Sequence, residues 1–477
     1  MKRENILSGQ DARNREIRRI GADSLVLPPA RQVNAGLLIV TLVLICFGLV
    51  MLFSASMTDG YSREGSALFY VLKQAGITAA GLIAALFVAL IIPVSAFDHF
   101  WMSLLLYGVT TGLLVYVKFF GLVINNARRW VNIGIQFQPS ELAKIAIVFC
   151  FAGYVSLLKR LRKAGRLRFR TPFRQFLADG WLDILLPGFA LLVWIGLIAW
   201  QPHLSGAVIM SLITLALFLT AGIRLRSWLS ALTQILVVLL VVILAISLLL
   251  PAFLGGGLQE KYDEAMAGNF AHVQTRLNSF FNPEEASSDD IYQINQALIA
   301  IGSGGISGVG LGEGRQKYNY LPEAHNDYVF AIIGEELGFG GTVTVVLLFL
   351  IFMALGIGVT RRASNTFAAL LAGGYTMLIS IQAFLNIGVA THTLPSTGIS
   401  LPFFSYGGTS NLFFLMAIGL LLAVSRSGQR QAGNMLTRRR QPGSPAGKPG
   451  PDRTHAAPSP LPRRAPEFRQ GLSGENR

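Results

Sequence analysis

The chain has 477 residues, 52% of them hydrophobic and only 14% charged, against roughly 25% charged in a soluble domain. That deficit excludes an ordinary soluble globular protein and makes lipid the expected solvent. The net charge of +15 invites a nucleic-acid reading, which the positions of the basic residues exclude, while Cys46 and Cys150 sit singly in apolar runs and offer neither a disulfide framework nor a CxxC metal site.

Residues 1–33 are charged, and no cleavable signal peptide is visible, because the first apolar run starts near Asn34 and is too long for an h-region. A helix needs about 20 apolar residues to cross the hydrocarbon core. Ten such runs follow, near 34–57, 68–92, 99–117, 139–157, 182–200, 204–222, 228–252, 337–359, 365–388 and 404–425. The expected fold class is an all-α integral membrane protein of about ten transmembrane helices. Tyr328 to Gly334, just ahead of the eighth run, is also apolar, and Glu335 and Glu336 interrupt the pattern. This segment reads either as a short interfacial helix or as part of one long tilted helix. The loop of about 253–326 between helices 7 and 8 is too long to be a mere connector.

Ten spans put both termini on one side, and the positive-inside rule says which. With the N-terminus inside, the inner segments hold most of the 40 Lys and Arg residues, most densely Lys159, Arg160, Arg162, Lys163, Arg166, Arg168, Arg170 and Arg174. Both termini are then cytoplasmic and the 253–326 loop is extracytoplasmic. The surplus positive charge is a topology signal and an attraction to anionic membrane lipids. Residues 427–477, rich in Pro, Gly, Ser and Arg, cannot build a core and read as a disordered cytoplasmic tail, like 1–33; the transmembrane domain is 34–426.

Polar groups inside a membrane are costly, so clusters of them mark candidate sites. Four clusters fall on the outer side. The first is Arg128-Arg129-Trp130 with Gln138-Pro139-Ser140-Glu141-Leu142-Ala143-Lys144. Pro139 suits a first helical turn, and Glu141 and Lys144, three apart, share a helix face and can pair. The pair is either a structural clamp or, with Arg129, a lining for an anionic substrate. The second is a glycine-dense stretch, Gly302 to Gly314, ending in Arg315-Gln316-Lys317. No Gly-Lys-Ser/Thr follows and no βαβ unit surrounds it, so it is not a nucleotide loop; its glycines allow close backbone approach. The third is Leu321-Pro322-Glu323-Ala324-His325-Asn326-Asp327. Asp327 can cap the following helix or serve as a general base at the membrane boundary. His325 has no second histidine at ligand spacing and reads as structural. The fourth is Asn386-Ile387-Gly388, Leu394-Pro395-Ser396-Thr397-Gly398 and Leu401 to Ser410, which includes Ser405. Its prolines and glycines mark non-helical backbone lining a cavity at membrane depth.

These motifs in this order resemble the SEDS family of bacterial envelope proteins, which includes FtsW, RodA and SpoVE. The resemblance covers roughly residues 34–426 and rests on Arg129-Trp130 with Gln138 to Glu141, Arg276 to Pro283, Ala300 to Gly305, Leu321 to His325, Ile333 to Gly338, and Leu401-Pro402-Phe403 with Ser405 to Gly408. The Pro-Glu-Ala-His wording and long basic tails look more like FtsW and SpoVE than RodA. Three positions depart from the family pattern: His203 where Gln-Pro-Asp is usual, Asn326 for a common Thr, and Thr409 for Ser.

The resemblance implies a peptidoglycan glycosyltransferase in the bacterial cytoplasmic membrane, polymerising lipid II on the outer face, in cell division by its subtype. It implies a class B penicillin-binding protein as partner, among other divisome or elongasome proteins; the length of the outer loop 253–326 makes that loop the expected place for a partner to set activity. The family's essential aspartate corresponds to Asp327. The chemistry asks for a base near a sugar hydroxyl and cations near a departing diphosphate. The expected site is therefore Asp327 as base, with Arg129, Glu141, Lys144, Arg315, Lys317, His325 and Ser405 around the substrate. No metal site is legible, which leaves a divalent cation as an open possibility. The competing readings are a lipid II flippase and a non-catalytic scaffold for the partner.

Overall fold

A computed structural model describes residues 33–124, 127–132, 136–201, 203–253, 288–395 and 398–440. The elements are α1 (Ala35–Glu64), α2 (Phe69–Ile91), α3 (Phe100–Phe120), β1 (Leu122–Ile124), β2 (Ala127–Asn132), β3 (Gln136–Phe137), α4 (Pro139–Lys163), α5 (Pro172–Gly180), α6 (Leu186–Trp200), α7 (Leu204–Thr220), α8 (Leu225–Phe253), α9 (Ser288–Gly304), α10 (Val329–Arg361), α11 (Thr366–Ala390) and α12 (Thr409–Arg440). A π-helical turn, Trp181–Leu185, joins α5 to α6.

Among the described residues, nine helical stretches are long and apolar enough to cross a membrane, α5, the π turn and α6 counting as one continuous span. The tenth expected span is the shorter apolar helix Ser205–Thr220. Local sequence explains the ends. Asn34 caps α1 by accepting from Leu37 N (3.1 Å), and Gly65 closes it in the left-handed conformation. Asn365 caps α11 through Ala368 N (2.8 Å), and Pro139 opens α4. The core helices are α4, α11 and α12, the most enclosed of the bundle, with α10 packed on α11, α1 and α9.

Two features differ from the sequence reading, and a third decides between the alternatives it left open. The segment after α3 forms a small antiparallel sheet in the order β1-β2-β3, which short apolar runs do not reveal. Part of the long outer loop is helical, since α9 packs on α10; residues 254–287, and with them the Arg276 to Pro283 motif, lie outside the described residues. The ambiguous segment before the eighth span is a separate short helix: Gly338 at φ 65°, ψ −161° kinks α10 after Leu337. Of the expected tails, 1–33 and 427–477, residues 1–32 and 441–477 lie outside the described residues, while α12 continues past 427 to Arg440. Residues 434–477 are a separate unit, of which only the end of α12 is described.

Polar contacts sort the loops onto two ends. At one, Arg160 pairs with Asp98, Lys159 Nζ donates to the Ala221 carbonyl (3.4 Å), and Arg226 Nη2 donates to the Pro172 carbonyl (3.2 Å). At the other, His325 meets Asp59, Tyr406 N donates to the His325 carbonyl (2.9 Å), and Phe137 of β3 packs on Phe413 of α12. The first end is the one carrying the dense basic block.

Candidate active site

The site is built on one face of α11. Gln382 and Asn386 are four residues apart in a largely apolar helix, so their amides project side by side. Asn386 Nδ2 donates to the carbonyls of Asp327 (2.7 Å) and Ile399 (2.6 Å). Gln382 Nε2 donates to the Ser400 carbonyl (3.2 Å), and its Oε1 accepts from Lys144 Nζ (2.9 Å). Lys144 in turn pairs with Glu141 at 2.8 Å. A continuous polar chain therefore runs Glu141–Lys144–Gln382, through the 399–400 backbone, to Asn386 and Asp327. It unites the first, third and fourth clusters of the sequence.

Asp327 is half-buried at the turn before α10. Its N–H, with those of Asn326 and Tyr328, points at the Glu323 carbonyl, and Glu323 itself holds a left-handed φ of 53°. Such strained backbone concentrates at functional sites. The α10 N-cap position falls on Tyr328 and carries no side-chain cap. Gly398 lies so near that an added Cβ would stand 3.2 Å from Asp327 Oδ2. A side chain at 398 would crowd the carboxylate.

The other expected site residues divide by their surroundings. His325 is buried, with Nδ1 3.1 Å from Asp59 Oδ2 and its ring 5.0 Å from that of Tyr70. Burial pushes its imidazole below the usual value, against the opposing pull of Asp59. Ser405 is buried, and its Oγ accepts from Leu401 N (2.7 Å), closing the tight turn beside Phe403, another residue at positive φ (70°). Arg129 is half-buried on β2, and Arg315 is exposed.

Lys317 is fully buried: its Nζ donates to Glu336 Oε1 (2.7 Å), Ser54 Oγ (3.0 Å) and the Gly312 carbonyl (2.7 Å). An ammonium has three donors, and all three are spent. This geometry suits a clamp rather than a phosphate ligand. Glu335 extends the clamp by accepting from the N–H groups of Arg315 (2.7 Å) and Gln316 (3.2 Å). The glycine-dense stretch lies against the same two glutamates, with Val309 N on the Glu335 carbonyl and Gly310 N on the Glu336 carbonyl, both 3.0 Å. A Cβ at Gly308 would stand 2.1 Å from the Glu336 carbonyl oxygen, so only glycine fits.

The sequence reading missed Gln382 as a site residue and saw Asn386 only as part of a broken helix end. The available signal was two amides at i, i+4 inside a membrane span. Among the described residues, no group of three or more His, Cys, Asp or Glu side chains is placed to hold a metal ion.

The family model described as cell cycle protein, covering FtsW, RodA and SpoVE, matches residues 35–430. A probable peptidoglycan glycosyltransferase FtsW of Geobacter metallireducens is 34% identical over 82% of this chain and 93% of its own length. The protein of the same name from Thioalkalivibrio sulfidiphilus is 36% identical over 83% of this chain and 90% of its own. Among solved structures, the fold is similar to a chain of a peptidoglycan synthase complex that coordinates polymerization and crosslinking (TM-score 0.58, 24% identity, 83% of this chain and 98% of that one). It is also similar to the rod shape determining protein RodA of Thermus thermophilus (TM-score 0.53, 23% identity, 83% and 97%). The bundle, its kinked α10 and the motifs gathered around Asp327 thus belong to a multi-pass membrane protein of the FtsW/RodA/SpoVE family.

Proposed function

We propose that this chain is a peptidoglycan glycosyltransferase that polymerises lipid II at the outer face of the bacterial cytoplasmic membrane, in the manner its FtsW-named relatives suggest. The observation that carries the reading is the polar chain from Glu141–Lys144 to Asp327, assembled at the end of the bundle opposite the basic loops. In the proposed reaction, a sugar hydroxyl of one lipid-linked molecule attacks the anomeric carbon of another. Asp327 takes the hydroxyl proton, the new glycosidic C–O bond forms, and the anomeric C–O bond to the polyprenyl diphosphate breaks with its electrons on the leaving oxygen. Arg129 and Lys144, with the exposed Arg315, are the cations proposed to receive that diphosphate. Lys317, its donors all spent, is assigned to holding the loop instead, and His325 and Ser405 to shaping the turns on either side of the base.

General-base removal costs typically about 10²–10⁴-fold in rate. Asp327→Asn keeps the size and polarity of the side chain and is expected to lose polymer formation by at least about 10²-fold in a purified lipid II assay. Folding of the variant is checked by its unfolding midpoint. Full activity in a folded Asp327→Asn protein would sink the assignment. A class B penicillin-binding protein is the proposed partner, supported by the similarity to a synthase complex that joins polymerization to crosslinking. Repeating the assay with and without it measures that partnership.

A further inference from the structure

We infer that the cytoplasmic segment between α4 and α6, residues 159–181, is a binding site for anionic phospholipid headgroups. Its two carboxylates near the surface are withdrawn: Arg162 reaches Asp179 Oδ1 (3.0 Å) through Nη2 and Asp183 Oδ1 (2.8 Å) through Nη1, and both aspartates are buried. Gln175 Nε2 also donates to Asp179 (2.9 Å), and Ser227 Oγ to Asp183 (2.6 Å). With Asp179 and Asp183 buried against Arg162, no carboxylate of the segment faces outward, and its exposed charge is wholly positive. Arg166, Arg168, Arg170 and Arg174 are all exposed.

The segment is also held in shape. Thr171 caps α5, Ser230 Oγ of α8 donates to the Phe176 carbonyl (2.6 Å), and Gln234 Nε2 donates to the Leu177 carbonyl (3.0 Å). Arg174 thus sits on an anchored helix, and Phe169 N donating to Gln175 Oε1 (3.0 Å) ties the loop of Arg166, Arg168 and Arg170 to it, which reduces the ordering cost a loose loop would bear. Beside them stand exposed aromatics: Phe169 at 45%, Phe173 at 69% and Trp181 at 53% of full exposure. Phe173, Leu177 and Trp181 recur at i, i+4 and i+8 and so fall along one side of the helix.

Cations interleaved with exposed aromatics fit the headgroup layer, where rings lie among the upper acyl chains and guanidiniums meet phosphate. Both ends of the segment continue into membrane spans, so it cannot leave the membrane surface. A lipid headgroup is therefore the ligand always within reach, and charge complementarity selects an anionic one.

The test is native mass spectrometry of the full chain in detergent, titrated separately with phosphatidylglycerol, phosphatidylcholine and inorganic phosphate. Wild type is expected to retain phosphatidylglycerol in preference to phosphatidylcholine and to be indifferent to inorganic phosphate. A basic side chain near an anionic leaflet is worth about a fivefold preference. The R166Q/R168Q/R170Q/R174Q variant should lose at least about tenfold in phosphatidylglycerol affinity at an unchanged unfolding midpoint, while the matching Arg→Lys variant keeps most of it. Equal retention of the two lipids by wild type, undiminished retention by the Gln variant, or competition by inorganic phosphate would each overturn the inference. The readout does not involve polymerisation, so it stands or falls apart from the proposed activity.

Discussion

Asp327 is held in place by an amide 59 residues further along the chain. Asn386 donates to the Asp327 and Ile399 carbonyls at once, the first bond partly and the second fully buried. Replacing Asn386 by Ala leaves two carbonyls without that donor, at about 1–3 kcal/mol for each unsatisfied group. More important for turnover, it frees the proposed base to move, and a displacement of about 1 Å can cost 10²-fold. Asn386→Ala is expected to lower kcat by about 10–100-fold while changing KM little, because the amide touches the backbone of the base and not the substrate. A KM effect with kcat intact would reassign Asn386 to substrate binding. Glu141 and Lys144 show what spacing can reveal at this scale: three residues apart on a helix, they pair at 2.8 Å. Asp327 differs: its position allows a cap or a base, and only the family resemblance favours the base.

Among the elements, the junction between the glycine-dense loop and α10 decides where the Asp327 turn begins. Lys317 and Glu336 are both fully buried, and Ser54 of α1 completes the contact by donating to Glu336 Oε1 (2.6 Å) and Oε2 (2.7 Å). Breaking one partner of a buried pair strands the other charge, at a cost of about 3–5 kcal/mol, whereas replacing both by apolar residues is often nearly neutral. Lys317→Met alone should lower the unfolding midpoint measurably in a thermal scan. Lys317→Met with Glu336→Leu should recover much of the loss; a double variant no better than the single would show that the ammonium acts elsewhere. The sequence does not disclose this pairing, because nothing local links a lysine in a loop to a carboxylate 19 residues on and about two turns inside α10. Read alone, Lys317 looked like one more cation for a phosphate. The kink at Gly338 was half legible: two glutamates in an apolar run announced a change, but the positive φ and the contact with Gly308 are properties of packing. The β1-β2-β3 sheet was not legible at all, since its strands are two to six residues long and carry no alternation.

At the scale of the whole molecule, everything in the proposed mechanism depends on which end of the bundle faces out. Hydropathy delivered the spans well because the bilayer demands helices, with backbone groups satisfied internally. Orientation rests on charge: the end with Arg160, Lys159 and Arg226 carries the dense basic block, and the end with Asp327 does not. The chain suits a direct test. Cys150 is buried and Cys46 lies within the α1 membrane span, so a membrane-impermeant maleimide should reach neither in intact cells. Glu313 and Arg168 are exposed at opposite ends and carry no part of the polar chain around the base. Glu313→Cys should label in intact cells, whereas Arg168→Cys should label only once the membrane is permeabilised. The reverse pattern would put Asp327 on the cytoplasmic side. Lipid II polymerised there would have to be exported afterwards, and a glycosyltransferase of the outer face would no longer be tenable.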